Sequence, residues 1–388
     1  MLKTLIIRLT AMLSAAVLLA GCGAGNGSKN GTADKADSTA TESVQAAVSP
    51  AYALGFETRR AGNATLLTIS DPEGKQAEEF RYALVERGKE AEIPEGYTRI
   101  DLPVRSVVCM TSLQLSNFIR LGLTDLVSGI TSTRHLKNPE MNRRIREGKT
   151  AKIGIEGNFD REVIMAINPD VILVSPFKRG GYDAIRDTGV PMIPHLGYKE
   201  LTPLGQAEWI KVVGLLTGHA DEANRAFAEI ERSYNGLKDR VDSAAPEVRP
   251  TVFSGEMRGG NWYAVGGRSF LAQLFRDAGA EYFLKDNEES GGVTLDYETV
   301  YASAAGADYW RIVNSHEGVY DYDAIKASDE RYTHFDAWKN HGVIYCNMKE
   351  VPFYESMPVE PHVVLADLIA IFHPALAPGH TPVYYHKL

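Results

Sequence analysis

The chain has 388 residues, with 41 Lys and Arg against 50 Asp and Glu and a formal net charge of −9. Apolar residues make up 44% and charged residues 23%, the balance of a globular protein with a sizeable core. The acidic balance, without any basic cluster, argues against nucleic acid as a partner. Three cysteines are too few for a disulfide scaffold.

At the start, Lys3 and Arg8 precede an apolar run over 11–20 that closes on Leu19-Ala-Gly-Cys22. A positive opening, a short apolar stretch and small residues before the cut describe a secretory signal, not a membrane span. The ending resembles the bacterial lipobox, which implies removal of residues 1–21 and lipidation of Cys22. Residues 22–50 are small and polar with almost no large apolar side chains, so burial cannot offset their ordering entropy. They are predicted to be a flexible tether spanning roughly 30 Å.

The roughly 340 residues that follow exceed a usual single core, which predicts two lobes. Strand-like runs at 65–70 and 80–85 flank Asp71-Pro-Glu-Gly74, turn chemistry that predicts an appended β-hairpin. Strand-like runs then recur at 106–110, 126–130, 171–175, 192–196, 251–254, 309–313 and 343–346. Helical periodicity fills 112–121, 139–147, 161–167, 182–188, 269–278 and 362–372, and the alternation implies parallel βαβ units. Cys109 and Cys346 sit in two of the strand-like runs, in different lobes, and read as small buried hydrophobes.

Residues 204–241 have no proline and carry apolar residues at helical spacing, broken once at Gly218-His219, with Asp221 as a candidate N-cap. A helix over 222–241 would be ~30 Å long and would bridge two lobes. The predicted fold class is therefore α/β: two Rossmann-like lobes with central, mainly parallel sheets, joined by one long rigid α-helix, with a small N-terminal β-hairpin extension. The predicted divisions are a signal (1–21), a lipidated tether (22–50), an N-terminal lobe with the extension (51–218), the interlobe helix (219–243) and a C-terminal lobe (244–388).

One pattern appears twice. Asp160-Arg-Glu162 runs into Asn168-Pro-Asp170 and an apolar strand, and Asp296-Tyr-Glu298 runs into Asp308 and another. Each unit puts a carboxylate in the opening turn of a short amphipathic helix. By themselves these glutamates either complement the positive end of their helix or mark two equivalent edges of a two-lobed molecule.

Several stretches together resemble the helical-backbone class of periplasmic substrate-binding proteins, which serve ABC importers of iron–siderophore complexes, haem and cobalamin. They are Gly157-Asn-Phe-Asp-Arg-Glu162 with Asn168-Pro-Asp170-Val-Ile-Leu-Val, the long helix after Thr202-Pro-Leu-Gly205, Leu295-Asp-Tyr-Glu298, and the tail from His373-Pro374 to Leu388. The resemblance runs from about Arg105 onward. It implies that Glu162 and Glu298 dock on the two subunits of an ABC permease dimer, which works with its own ATPase subunits. It also implies an extracytoplasmic protein anchored to the membrane through Cys22.

The ligand is expected in the cleft between lobes, on loops at the carboxyl ends of strands. Candidates are Thr111, Ser112, Arg134, His135, Phe177, Lys178 and Arg179 from the first lobe, and Arg258, Trp262, Tyr263 and Tyr354 from the second. Aromatic faces with guanidinium groups suit a large, planar or anionic metal chelate. The family resemblance leaves ferric siderophore, haem or cobalamin, and the cationic candidates favour an iron complex.

No intrinsic cofactor or metal site is expected. The ten histidines are scattered without a His-x-x-x-His pair, and His219 with Glu222 reads as helix capping. The two-lobed plan also resembles metal chelatases. The chain has no nucleophile elbow, P-loop or glycine fingerprint, however, so a binding protein is expected and not an enzyme.

Overall fold

A computed structural model describes residues 50–388 apart from 132, 156 and 177–181. The signal, Cys22, nearly all of the tether, and Phe177, Lys178 and Arg179 lie outside the described residues.

The fold begins with a four-stranded sheet of β1 (Phe56–Ala61), β2 (Ala64–Ile69), β3 (Phe80–Glu86) and β4 (Thr98–Leu102), paired in that order. β2 and β3 form the predicted hairpin around Asp71, but they are the middle of the sheet. β1 and β4 escaped sequence reading because they bury only one and two residues respectively, leaving few apolar residues to reveal a strand.

The first lobe adds β5 (Val107–Cys109), β6 (Val127–Ile130), β7 (Ala151–Lys152), a hairpin of β8 (Gly154–Ile155) and β9 (Asn158–Phe159), β10 (Val171–Val174) and β11 (Met192–Pro194). Its sheet has the order β11-β10-β5-β6-β7 and is parallel throughout. Helices α1 (Ser112–Leu121), α2 (Pro139–Arg146), α3 (Arg161–Ile167), α4 (Asp183–Arg186), α5 (Pro203–Glu208) and α6 (Ile210–Thr217) complete it. Both faces of the sheet are covered. Val107, Cys109, Val171 and Leu173 point into one core, while Val108, Ile172 and Val174 point into another. That two-sided burial produces the continuous apolar runs seen in the sequence.

The second lobe contains β12 (Thr251–Ser254), β13 (Glu256–Arg258), β14 (Asn261–Val265), β15 (Glu281–Tyr282), β16 (Gly292–Leu295), β17 (Tyr309–Asn314), β18 (Val343–Asn347) and β19 (His386–Lys387). The main sheet runs β15-β12-β17-β18-β19 and is parallel except for β19, while β13, β14 and β16 form a small antiparallel sheet. Cys346 on β18 and Cys109 on β5 are both buried and free, and burial pushes the Cys346 thiol up to about 12.

Between the lobes runs α7 (Ala220–Ala244). Its buried residues Ala223, Phe227, Ile230, Tyr234 and Val241 recur every three or four positions and make one apolar face. The N-cap is His219, not Asp221, which sits in the first turn where its charge faces the helix's positive end. Gly214 on α6 permits the junction, because a Cβ there would lie 2.4 Å from Ala223 Cβ. α7 packs on α6 at the first-lobe side and, in the second lobe, on α13 (Pro361–Phe372), which follows α8 (Phe270–Asp277), α9 (Tyr297–Ala304), α10 (Tyr322–Ser328), α11 (Asp336–Lys339) and α12 (Phe353–Ser356). Tyr234 also donates to Asp277 of α8 at 2.6 Å.

The entry of the chain into this frame is held by two buried carboxylates. Glu208 accepts from the amides of Ala51, Tyr52 and Ala53 at 2.7–3.0 Å and pairs with Lys211 at 2.6 Å. Glu200 accepts from Leu54 N and Gly55 N at 2.9 Å each and from Trp209 Nε1 at 2.8 Å. Glu208→Ala would strand three amides and a half-buried ammonium. We expect it to lower unfolding free energy by about 3 kcal/mol, read by denaturant titration.

Candidate functional site

Leu113, in the first turn of α1, and Arg311, on β17, line a common space between the lobes. A cavity of about 290 Å³ opens there, with walls from both lobes. Leu113, Tyr198 and Gln206 come from the first lobe, while Phe270, Phe353, Tyr354 and Met357 come from the second. This volume sits at the lower edge for ligand pockets, enough for part of a large chelate.

Among the described residues, a single charged side chain reaches the cavity wall. Arg311 on β17 donates from Nε and Nη2 to the Tyr385 hydroxyl at 3.1 and 2.6 Å, with its guanidinium 5.3 Å from the ring centroid. Burial pushes the Tyr385 phenol up to about 12, so Tyr385 is a neutral partner of Arg311. Glu256 lies nearby, half-buried, accepting from Asn314 Nδ2 at 3.2 Å and from Tyr320 OH at 3.3 Å. Burial raises its carboxyl above the usual range, opposed by Asn314 and the charge of Arg258.

One of the contacts between the lobes lies beside the cavity. His135 of the first lobe and Tyr354 of α12 meet edge-on, with ring centroids 6.1 Å apart. The next residue, Glu355, is 1% exposed, and its Oε1 accepts from Lys137 N at 2.8 Å and Asn138 N at 2.6 Å, where α2 begins. Burial, then the charges of Arg134, Lys137 and Lys349, push His135 below the ordinary imidazole range, so it is neutral at pH 7. Arg134, Lys137 and Lys349 thus form a cationic cluster around His135, balanced in part by Glu317, which is paired to Lys349 and feels Arg134.

The sequence-predicted residues divide accordingly. Tyr354 lines the cavity, Thr111 lines a smaller chamber behind it, and Ser112 opens α1 next to Thr111. Arg134 and His135 sit at the interlobe contact, and Arg258 is exposed within electrostatic reach of Tyr354. Trp262 is corrected by the structure. It is 0% exposed, donates to Ser254 O at 2.9 Å and packs among Phe253, Trp310 and Phe335, so it offers no surface to a ligand. The alternation of β14 turns Trp262 inward and Tyr263 outward, where it is 46% exposed and lines neither the cavity nor the chamber.

Sequence reasoning missed Gln114, Asn117, His195, Gln206, Arg311 and Tyr385. Arg311 had a signal, a charge inside an otherwise apolar strand, whereas Gln114 and Asn117 read as ordinary helix positions. Among the described residues, no group of three or more His, Cys, Asp or Glu could hold a metal ion.

Glu162 and Glu298 occupy matching places. Asp160 caps α3 by accepting from Val163 N at 3.0 Å, Asp296 caps α9 by accepting from Thr299 N at 2.6 Å, and both glutamates are exposed in the first turn.

A family model described as periplasmic binding protein matches residues 107–349. Two α/β lobes with mainly parallel sheets, one long connecting helix and a cleft between them define a substrate-binding protein of the helical-backbone class. The chain belongs to the periplasmic binding protein family, whose members serve ABC-type transport. An uncharacterized lipoprotein of Methanocaldococcus jannaschii is 25% identical over 306 residues, covering 76% of this chain and 71% of the relative. A periplasmic haem-binding protein of Pseudomonas aeruginosa shares the fold with a TM-score of 0.58 and 16% identity, over 73% of this chain and 98% of that one. A protein of an ABC-type Fe3+-hydroxamate transport system of Saccharomonospora viridis does so with a TM-score of 0.56 and 18% identity, over 70% and 94%.

Burial, opposed by the amides of Lys137 and Asn138, raises the Glu355 carboxyl above its usual range. A raised acid contributes stability at low pH that is lost as pH rises through the folded value. Wild type should therefore lose stability relative to Glu355→Gln as pH climbs above the ordinary carboxylate range. Equal pH profiles in paired thermal melts would contradict this.

Proposed function

We propose that this protein is the substrate-binding lipoprotein of an ABC importer that captures an iron complex, a ferric siderophore or haem, in the interlobe cleft and delivers it to the permease. The observation that carries this reading is a cavity walled by both lobes, with Arg311 in its wall and Arg134, Lys137 and Lys349 gathered around His135, the neighbour of cavity-lining Tyr354. Apolar walls suit the body of a chelate, and the cations suit the negative charge that many ferric complexes carry. The haem and Fe3+-hydroxamate proteins that share the fold support an iron complex as cargo. In this reading the protein is a carrier and not an enzyme, and the metal arrives already chelated.

Cys22 carries the lipid, and the segment before Ala51 is the tether that holds the protein at the extracytoplasmic face of the membrane. Glu162 and Glu298 are the two contacts with the permease dimer. Each sits at the positive end of its helix, exposed and fixed by an aspartate cap, so the pair sets orientation on a two-fold partner.

Calorimetric titration with haem, ferric siderophores and cobalamin tests the cargo. Saturable binding of an iron complex is expected, whereas binding of cobalamin alone would transfer the assignment to that ligand. Glu162→Lys or Glu298→Lys should lower uptake about tenfold or more, as loss of a charge contact predicts, while affinity for the cargo stays unchanged. Uptake at the wild-type rate in both variants would remove the docking assignment.

A further inference from the structure

Behind the cavity, at the carboxyl ends of β5, β10 and β11, lies a second and much smaller space of about 10 Å³. Its lining includes Gln114, Asn117, Ser175, His195 and Gln206 from the first lobe, and Pro358 of the second lobe. Leu113, Tyr198 and Gln206 also line the larger cavity, so the two spaces share a wall. Gln114, Asn117, Ser175, His195 and Gln206 bring polar groups to its lining, and its size is that of one water molecule or one hydroxyl group.

The hydrogen bonds inside it are incomplete in one direction. Asn117 is 2% exposed, and its Nδ2 lies 3.0 Å from His195 Nε2 and 3.4 Å from the Gln114 carbonyl oxygen. A carbonyl neighbour requires the amide nitrogen on that side, which fixes the orientation of the Asn117 amide. His195 Nε2 is then an acceptor and the ring is neutral, in keeping with burial that pulls its pKa down to about 4. Asn117 Oδ1 is left buried with no hydrogen-bond partner. A buried amide oxygen without a donor is costly, and few such atoms survive in a folded protein unless a water or ligand completes them.

We propose that this chamber is a subsite for one neutral hydrogen-bond donor, a hydroxyl or amide N–H carried on a ligand whose apolar body fills the adjoining cavity, with a water molecule holding the place when the cleft is empty. The subsite rests on the reading of the cleft as the ligand site, and it deepens that reading. Arg311 addresses a negative charge, whereas Asn117 addresses an uncharged donor, so the two rooms select different parts of one molecule. The neutral His195 offers no charge to a metal-bound anion, and the space admits no aromatic ring.

Two experiments test this. A high-resolution crystal structure of the unliganded, unsubstituted protein should show an ordered water within hydrogen-bond distance of Asn117 Oδ1, and a dry chamber would overturn the proposal. Binding of a ferric trihydroxamate with free hydroxyl groups is then compared with that of its O-methylated counterpart, in the unsubstituted protein and in Asn117→Leu. The substitution should weaken the hydroxyl-bearing complex about tenfold, the worth of one buried hydrogen bond, and leave the methylated one unchanged. Equal loss for both would mean that Asn117 only packs, and would sink the subsite. If neither complex binds the unsubstituted protein, the cargo reading fails, and the hydration of Asn117 alone decides whether a donor site exists.

Discussion

Everything in this molecule hangs on the apolar face of α7. Among the described residues it is the one covalent crossing between the lobes, and it is packed along its length instead of hanging between them. Burying Phe227, Ile230, Tyr234 and Val241 is worth about 2 kcal/mol each, so sliding or unwinding the crossing is costly. The close approach at Gly214 adds a steric register. With the crossing fixed, the contact of α1 with α12 and the hydrogen bonds from the start of α2 to Glu355 fall where they do, and the cleft acquires two walls at a defined distance.

The chemistry of the cleft follows from where the strands stop. Parallel strands end with backbone and side-chain polar groups facing the same edge, and the spaces there are lined by residues of both lobes. Polar groups there are therefore poorly solvated, which makes their charges and hydrogen bonds count for more than at the surface. Arg311 is hydrogen-bonded to a neutral phenol and not to a carboxylate, with Glu256 within electrostatic reach. Glu355 is used differently. It is spent on joining the lobes, next in sequence to the aromatic that lines the cavity.

The alternating strands and helices of the main sheets were legible in the sequence because both faces of each sheet are buried, which writes unbroken apolar runs such as Val171–Val174. The small antiparallel elements were not. β13 and β16 are short and half-exposed, and nothing in Glu256–Arg258 or Gly292–Leu295 announces a strand. Trp262 misled for a related reason, since the flanking glycines suggested a ligand-approaching loop while strand alternation sends the indole inward. Asn117 and His195 stand 78 residues apart, and only the sheet order brings them together. No local pattern records such a pair.

The grip of Glu208 and Glu200 on residues 51–55 has a mechanical meaning. Any pull applied to the chain ahead of Ala51 is delivered to five amide contacts on the segment leading into α5 and on α5 itself, which act in parallel. Tyr52 shares the load through its hydroxyl with Glu231 on α7. Tension therefore enters beside the axle of the molecule and not at either jaw of the cleft. A pull on that end does not pry the cleft open.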